Sequence, residues 1–296
     1  MDLSDLVIFK AVVENGSITR AAERLHRVPS NVTTRIRQLE HGLAVELFHR
    51  QGKRLILSEA GSLLLDYANR LLRLAEEAQD ALHSQTPQGV FRLGASESIV
   101  ATRLPEPLNE FHRRWPDVRL ELQTAASHRL LTSLKGGALD AVFVAGPVSH
   151  PDIETERQYR EELVLVTAME HKPVRHPRDI AGCTLLVFEN GCAYRQRLED
   201  WFTKQGAVIE RLVEFSSYHA ILGCAAVGTG VALVPRRVLM VFSERSRLGV
   251  HRLSPEWRWV DIVLAWPRGR EGAKLAALKG VLRKWWGANR IATLPP

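Results

Sequence analysis

Apolar residues at Leu3, Leu6, Val7, Phe9, Val12 and Val13 recur at helical spacing behind Ser4, the expected cap, and Gly16 closes that helix. A second helix is predicted at once. Ser17 can accept the first backbone N–H groups, and Ile18, Ala21, Ala22 and Leu25 form a narrow apolar face whose alanines let a neighbouring helix approach closely. After a short turn at Arg27 and Val28, Pro29 sits where a first helical turn tolerates a missing N–H. Val32, Ile36 and Leu39 then mark the buried stripe of a third helix. Residues 47–57 read as two short strands around a glycine-containing turn. Behind Ser58, a long segment without proline runs to His83. Its Leu64, Ala68, Leu71, Ala75, Ala78 and Leu82 recur at alternating spacings of 4 and 3, the seam of a two-stranded coiled coil.

From residue 90 the period changes. Strands are predicted at 90–95, 118–123 and 138–145, separated by helices at 104–115 and 128–135. The pattern restarts with strands 185–188, 208–215 and 231–234 around helices 193–204 and 220–227. Such alternation implies parallel α/β sheets, and two such halves joined by crossing segments imply a hinged cleft. The polar stretch Ser84-Gln85-Thr86-Pro87-Gln88-Gly89 lies between helical and β-rich patterns and reads as a hinge. The domain expectation is therefore 1–58 as a winged helix-turn-helix, 59–83 as a linker and dimerisation helix, 84–89 as the hinge, and 90–296 as an α/β domain of two halves, for which the family resemblance given below implies effector binding and oligomerisation.

Composition narrows the function. The 296 residues are 45% hydrophobic and carry a formal charge of +7, proportions of a folded chain of about two domains. No run approaches the roughly 20 apolar residues of a membrane span, and the acidic N-terminus is unlike a signal peptide, so the expectation is a cytoplasmic protein without a membrane partner. Three cysteines, Cys183, Cys192 and Cys224, build neither a disulfide framework nor a four-cysteine zinc site. Between Arg20 and Arg54 eight bases face three acids, so the positive charge is concentrated there. A second basic region, 245–290, includes Lys274, Lys279, Arg283 and Lys284 opposite Leu275, Leu278, Val281 and Leu282, the pattern of a solvated helix face.

The third helix carries Ser30, Asn31, Thr33, Thr34, Arg35 and Arg37, short hydrogen-bonding side chains interleaved with arginines, as a helix meeting base edges and phosphates in a major groove requires. The hairpin adds Arg50, Lys53 and Arg54, placed as in a wing on phosphate or in the minor groove. Ser17, Thr19 and Arg20 of the preceding helix join this set.

Residues 9–61 resemble the DNA-binding domain of LysR-type transcriptional regulators. The matching pieces are Gly16-Ser17, Ala21-Ala22 with Leu25, Arg37-Gln38-Leu39-Glu40, Leu47-Phe48 with Arg50, and Leu57-Ser58 with Ala60-Gly61. Many relatives carry Ser-Gln-Pro before the recognition helix, whereas this chain has Val28-Pro29-Ser30-Asn31, so base preference does not transfer. Val227-Gly228-Thr229-Gly230-Val231, followed by Leu233-Val234-Pro235, resembles the end of the family's effector domains. The resemblance implies a periplasmic-binding-protein-like domain of two subdomains. It also implies double-stranded promoter DNA and a small-molecule effector as partners, a homodimer or homotetramer, and contact with RNA polymerase.

Ligands of parallel sheets sit at the carboxyl ends of strands, which selects Ser96, Ser98, Gly146, Phe188, Gly191, Cys192, Tyr194 and Tyr218 as effector-binding candidates, with Arg195 the candidate cation. Cys192 and Cys224 admit two readings, a redox or metal-sensing pair or two small buried hydrophobes. Gly228-Thr229-Gly230 enters a strand and lacks a third glycine, so it is no phosphate loop. No hydrolase, zincin or Walker motif appears, and no cofactor or catalytic residue is expected. The competing class is a solute-binding protein with an appended helical module.

Overall fold

The computed structural model describes residues 1–51, 54–83 and 86–287, at 50, 51, 54, 77 and 80–83 by backbone alone. It divides into two units, 1–85 with 135–138, and 86–134 with the chain from 139 onward. Among the described residues no helix is long and apolar enough to cross a membrane.

The first unit contains α1 (Leu3–Asn15), α2 (Ile18–Arg24), α3 (Pro29–Leu43), the antiparallel pair β1 (Phe48–Gln51) and β2 (Arg54–Leu57), and α4 (Glu59–His83). Leu6, Phe9, Val12, Ala21, Ala22, Val32 and Leu39 are buried in one core with Leu47 and Ala68. Gly16 ends α1 at φ +58°, and Ser17 caps α2 as expected. Asp2 rather than Ser4 caps α1. The Asp5 N–H donates to Asp2 Oδ1 at 2.8 Å and the Asp2 N–H donates back to Asp5 Oδ2 at 2.9 Å, a reciprocal pair that leaves Ser4 inside the first turn. The root of the hairpin is fastened twice. Glu40 Oε1 accepts the N–H groups of Leu47 and Phe48 at 2.9 and 3.3 Å, while Ser58 donates to the Glu46 carbonyl at 2.6 Å and accepts the Gly61 N–H at 2.9 Å. A Cβ on Gly61 would lie 2.2 Å from the Leu47 carbonyl oxygen, so only glycine lets α4 start this close to the wing.

The expected seam of α4 is displaced. Ala68 is fully buried and Leu64 partly buried within the first unit's own core. The apolar stripe left exposed is Leu63, Tyr67, Leu71 and Leu74, which shares Leu71 with the predicted seam and lies one position before Leu64, Ala68 and Ala75. A seam judged from spacing alone cannot tell which neighbour each face meets. Leu82 lies outside the residues whose side chains are described.

In the second unit the order is β3 (Gly89–Ala95), α5 (Glu97–Thr102), α6 (Pro105–Arg114), β4 (Val118–Thr124), α7 (Ser127–Lys135), β5 (Ala141–Ala145) and β6 (Ile153–Ala168). There follow β7 (Thr184–Phe188), α8 (Ala193–Lys204), β8 (Arg211–Phe215), α9 (Tyr218–Ala226), β9 (Ala232–Pro235), α10 (Arg236–Val241), β10 (Leu248–His251), α11 (Pro255–Arg258), β11 (Trp259–Pro267) and α12 (Ala273–Leu282). Ser84 and Gln85 of the expected hinge lie outside the described residues.

The sheets are mixed, not wholly parallel as expected. β3 runs parallel to β4 and β5, and β7 parallel to β8, but β11 is antiparallel to β5 and β6, and β6 is antiparallel to β9 and β10. The 16-residue β6 leads from the first half into the second and β11 returns along it, so the two crossing strands oppose each other. The basic face of α12 also departs from expectation. Lys279 is buried, with its Nζ 2.8 Å from Glu271, 3.0 Å from Glu156 and over the Trp266 ring. Lys274 donates to the Val90 carbonyl at 2.8 Å, so these cations fasten the helix to its own unit.

Candidate nucleic-acid interface and effector cleft

The recognition surface starts at the turn between α2 and α3. His26 adopts φ +52° there, Val28 is extended and forms the helix boundary without a side-chain cap, and Pro29 occupies the first helical turn. Val32, Ile36 and Leu39 bury one face of α3, which leaves Ser30, Asn31, Thr34 and Arg37 exposed, together with Thr19 and Arg20 of α2. Arg20 and Arg37 have no intramolecular side-chain partner among the described residues, so both charges are available to a ligand. Asn31 accepts a long hydrogen bond from Arg27 at 3.4 Å. Two candidates are less free. Half-buried Thr33 donates its hydroxyl to the Pro29 carbonyl at 2.9 Å, and Ser17 Oγ accepts the Arg20 N–H at 3.5 Å as the cap of α2.

Arg35, expected among the DNA contacts, is not a free side chain. Its Nη2 lies 3.2 Å from Asp2 and 3.0 Å from Asp5, so the guanidinium ties the recognition helix to the capping box of α1. Arg50 and Arg54 lie on β1 and β2, but their side chains, and Lys53 altogether, are outside the described residues. Glu40, which holds the wing's root, was not among the sequence candidates; its only signal is its place in the Arg37-Gln38-Leu39-Glu40 motif.

In the second unit, the carboxyl ends of β3, β4, β7 and β8 converge on a cavity of about 700 Å³. This size suits a small organic molecule. Ser96, Phe188, Cys192, Tyr194 and Tyr218 line it, as expected from their position after strands. The rings of Phe188 and Tyr218 pack with centroids 4.5 Å apart. Ser98 is buried beside the lining, its Oγ 3.5 Å from that of Ser96. Gly146 is not in the lining: its N–H donates to the Asp261 carbonyl at 2.8 Å, which pins it to β11. Gly191 belongs to the rim. At φ +88°, its carbonyl accepts the His128 N–H at 3.3 Å, and a Cβ there would meet the His128 side chain at 2.9 Å. Beside it Arg129 bridges to Glu189 at 3.1 Å, so α7 of one half is joined to the loop after β7 of the other.

Thr124, Ser127 and Arg129 were missed as lining residues, because the segment that carries them meets the other half only in the folded unit. Arg195 is spoken for: it bonds to Glu199 at 2.8 Å, Glu214 at 2.6 Å and the Phe188 carbonyl at 3.2 Å. Cys192 lines the cavity and Cys224 does not, so the two thiols do not share the cleft. Burial raises the Cys192 thiol above its ordinary value, which keeps it protonated and weakly nucleophilic.

Glu97 is the unusual member. Its Oε2 is fully buried without a hydrogen-bond partner, and burial raises its pKa above the ordinary 4.5 against the opposing pull of the Tyr218 N–H. A carboxyl whose folded pKa is raised binds more protons folded than unfolded, so stability declines as pH climbs from about 4.5 through the folded pKa. Glu97→Gln is expected to raise the melting temperature at pH 7 and to lose that advantage near pH 4. Equal melting curves at pH 7 would mean that Glu97 carries no desolvation penalty.

The family model "Bacterial regulatory helix-turn-helix protein, lysR family" matches residues 3–62, and the model "LysR substrate binding domain" matches residues 84–287. The HTH-type transcriptional regulator GltR of Bacillus subtilis (strain 168) is 33% identical over 262 residues, 88% of each chain. A full-length OxyR variant of Pseudomonas aeruginosa superposes with a TM-score of 0.73 at 22% identity, covering 96% of this chain and 95% of that one. Full-length CbnR in complex with its target DNA gives 0.68 at 23% identity, covering 96% and 99%. At these identities the two structures share the fold.

Proposed function

Because the chain belongs to the LysR family of helix-turn-helix transcriptional regulators, which bind DNA and carry an effector-binding domain, we propose which of its residues read DNA, pair two copies and hold the effector. The observation that carries the DNA assignment is the state of α3: anchored by Val32, Ile36, Leu39 and the Arg35 ion pairs, it leaves Ser30, Asn31 and Thr34 exposed, with Arg20 and Arg37 exposed and without side-chain partners among the described residues. Ser30, Asn31 and Thr34 meet base edges in the major groove. Arg20, Arg37 and Thr19 engage phosphates, and the wing residues Arg50, Lys53 and Arg54 add further phosphate contacts. Arg35, Ser17 and Thr33 position this surface.

The chain works as a homodimer or a tetramer of paired dimers, with residues 59–83 as the linker helix and Leu63, Tyr67, Leu71 and Leu74 as the face that meets the second copy. Pairing presents two recognition helices to two half-sites about one helical turn, or a multiple of it, apart. In the cleft, Ser96, Thr124, Ser127, Phe188, Cys192, Tyr194, Ser216 and Tyr218 surround a small polar effector. Effector binding switches transcription only by favouring one arrangement of the halves, and so of the paired DNA-binding domains and their contact with RNA polymerase. The protein acts in the cytoplasm and catalyses no reaction. Family membership over both units disfavours a solute-binding protein with an appended module.

Fluorescence anisotropy of the full chain on DNA upstream of its own gene against a random duplex, across a salt series, tests this assignment. Tighter binding to the upstream DNA with a steep salt slope is expected. Absence of binding to either duplex at low salt would overturn it.

A further inference from the structure

Of the large apolar side chains exposed in the first unit, most lie on α1 and α4, but between Gly16 and Leu43 the one example is Val28, 62% exposed at the boundary of the recognition helix. Its place is unusual for valine. The boundary residue of a helix is normally Ser, Thr, Asn or Asp, whose side chain accepts an orphan N–H, and valine is among the poorest choices. Here no side-chain cap is made. The position thus forgoes local stabilisation while presenting an isopropyl group to solvent. That group is held stiffly: Pro29 confines Val28 to extended backbone, observed at φ −82° and ψ 143°, and branching at Cβ restricts its rotamer. Its exposed neighbours Arg27, Ser30 and Asn31 are hydrogen-bonding residues. At the tip of a helix that enters a major groove, the one apolar group that base pairs offer is the C5-methyl of thymine.

We propose that Val28 is a specificity-determining residue that packs its isopropyl group on a thymine methyl in each operator half-site. The inference rests on the DNA-binding reading of α3 and adds a base and a contact to it.

Duplexes are first enriched from a random pool by the full-length protein. Each thymine of the enriched site is then replaced in turn by deoxyuridine, which keeps every hydrogen-bonding group and lacks only the methyl. One thymine per half-site is expected to lower affinity on replacement by about three- to fivefold, the order expected for one desolvated methyl. In Val28→Ala the same replacement should change affinity less than about 1.5-fold, the contact being already absent. Val28→Ser, which restores a capping hydroxyl, should raise the melting temperature and lose the same preference. The proposal is overturned if no thymine is sensitive to deoxyuridine, or if the sensitivity persists in Val28→Ala. Failure to enrich any duplex would overturn the DNA-binding reading itself, and is recognised because the unaltered protein then binds no DNA.

Discussion

Glu162→Ala is expected to destabilise the second unit by about 3 kcal/mol, because it removes the carboxylate from a cluster of partly buried cations. Glu162 sits on β6, close to where that strand leaves the first half for the second. Its Oε1 accepts from Arg258 Nε at 2.8 Å with Nη2 at 2.6 Å, and its Oε2 lies 3.4 Å from Arg236. The carboxylate is only 8% exposed, whereas Arg236 and Arg258 retain 22 and 24%, so water offsets part of the loss and places it at the low end for a broken buried pair. Equilibrium urea unfolding of the full chain, followed by fluorescence of the tryptophans, all of which belong to the second unit, measures it. A midpoint shift equivalent to less than about 1 kcal/mol would show that the cluster behaves as a surface network. Glu162→Gln keeps the packing and should lose less.

Arg37→Ala is expected to weaken binding to every duplex several-fold and to flatten the salt slope by about 1, with the melting temperature unchanged. The reason is its freedom: exposed on α3 and without a side-chain partner among the described residues, Arg37 has its whole charge available to a phosphate. Arg35→Ala, two residues away, should act differently. It removes the ion pairs to Asp2 and Asp5, lowers the stability of the first unit by about 1 kcal/mol, and affects DNA through the placement of α3. Equal melting temperatures and equal salt slopes for the two variants would refute this division.

The contrast between these arginines shows where reading a chain stops. Both stand among short polar residues of one helix, two positions and so about half a turn apart, and nothing in that local sequence says which of the two finds a partner. The acids that capture Arg35 lie about thirty residues upstream and reach it only when α1 crosses α3. Lys279 adds a second case: one turn after Leu275 it lies beside the apolar stripe rather than on a solvated face, and Glu156 and Glu271 meet it there from other elements of the folded unit. The seam of α4 slips for a related reason, since a heptad has two neighbouring stripes and packing against the first unit takes Leu64 and Ala68 inward.

What the sequence determined by itself is everything carried by short-range periodicity and local caps: the three helices and wing, Gly16 and Ser17 between α1 and α2, the proline-led recognition helix, and the strand ends that bring Ser96, Phe188, Cys192, Tyr194 and Tyr218 to a cleft. These rest on contacts within a few residues, where spacing is geometry. Tertiary structure alone decided the antiparallel crossing of β6 and β11, the rim of His128 and Arg129 across the cleft, the capture of Arg35 and Arg195, and the burial of Glu97. Each depends on groups distant in the chain, whose meeting is set by how whole elements pack and by which charges the packing strips of water.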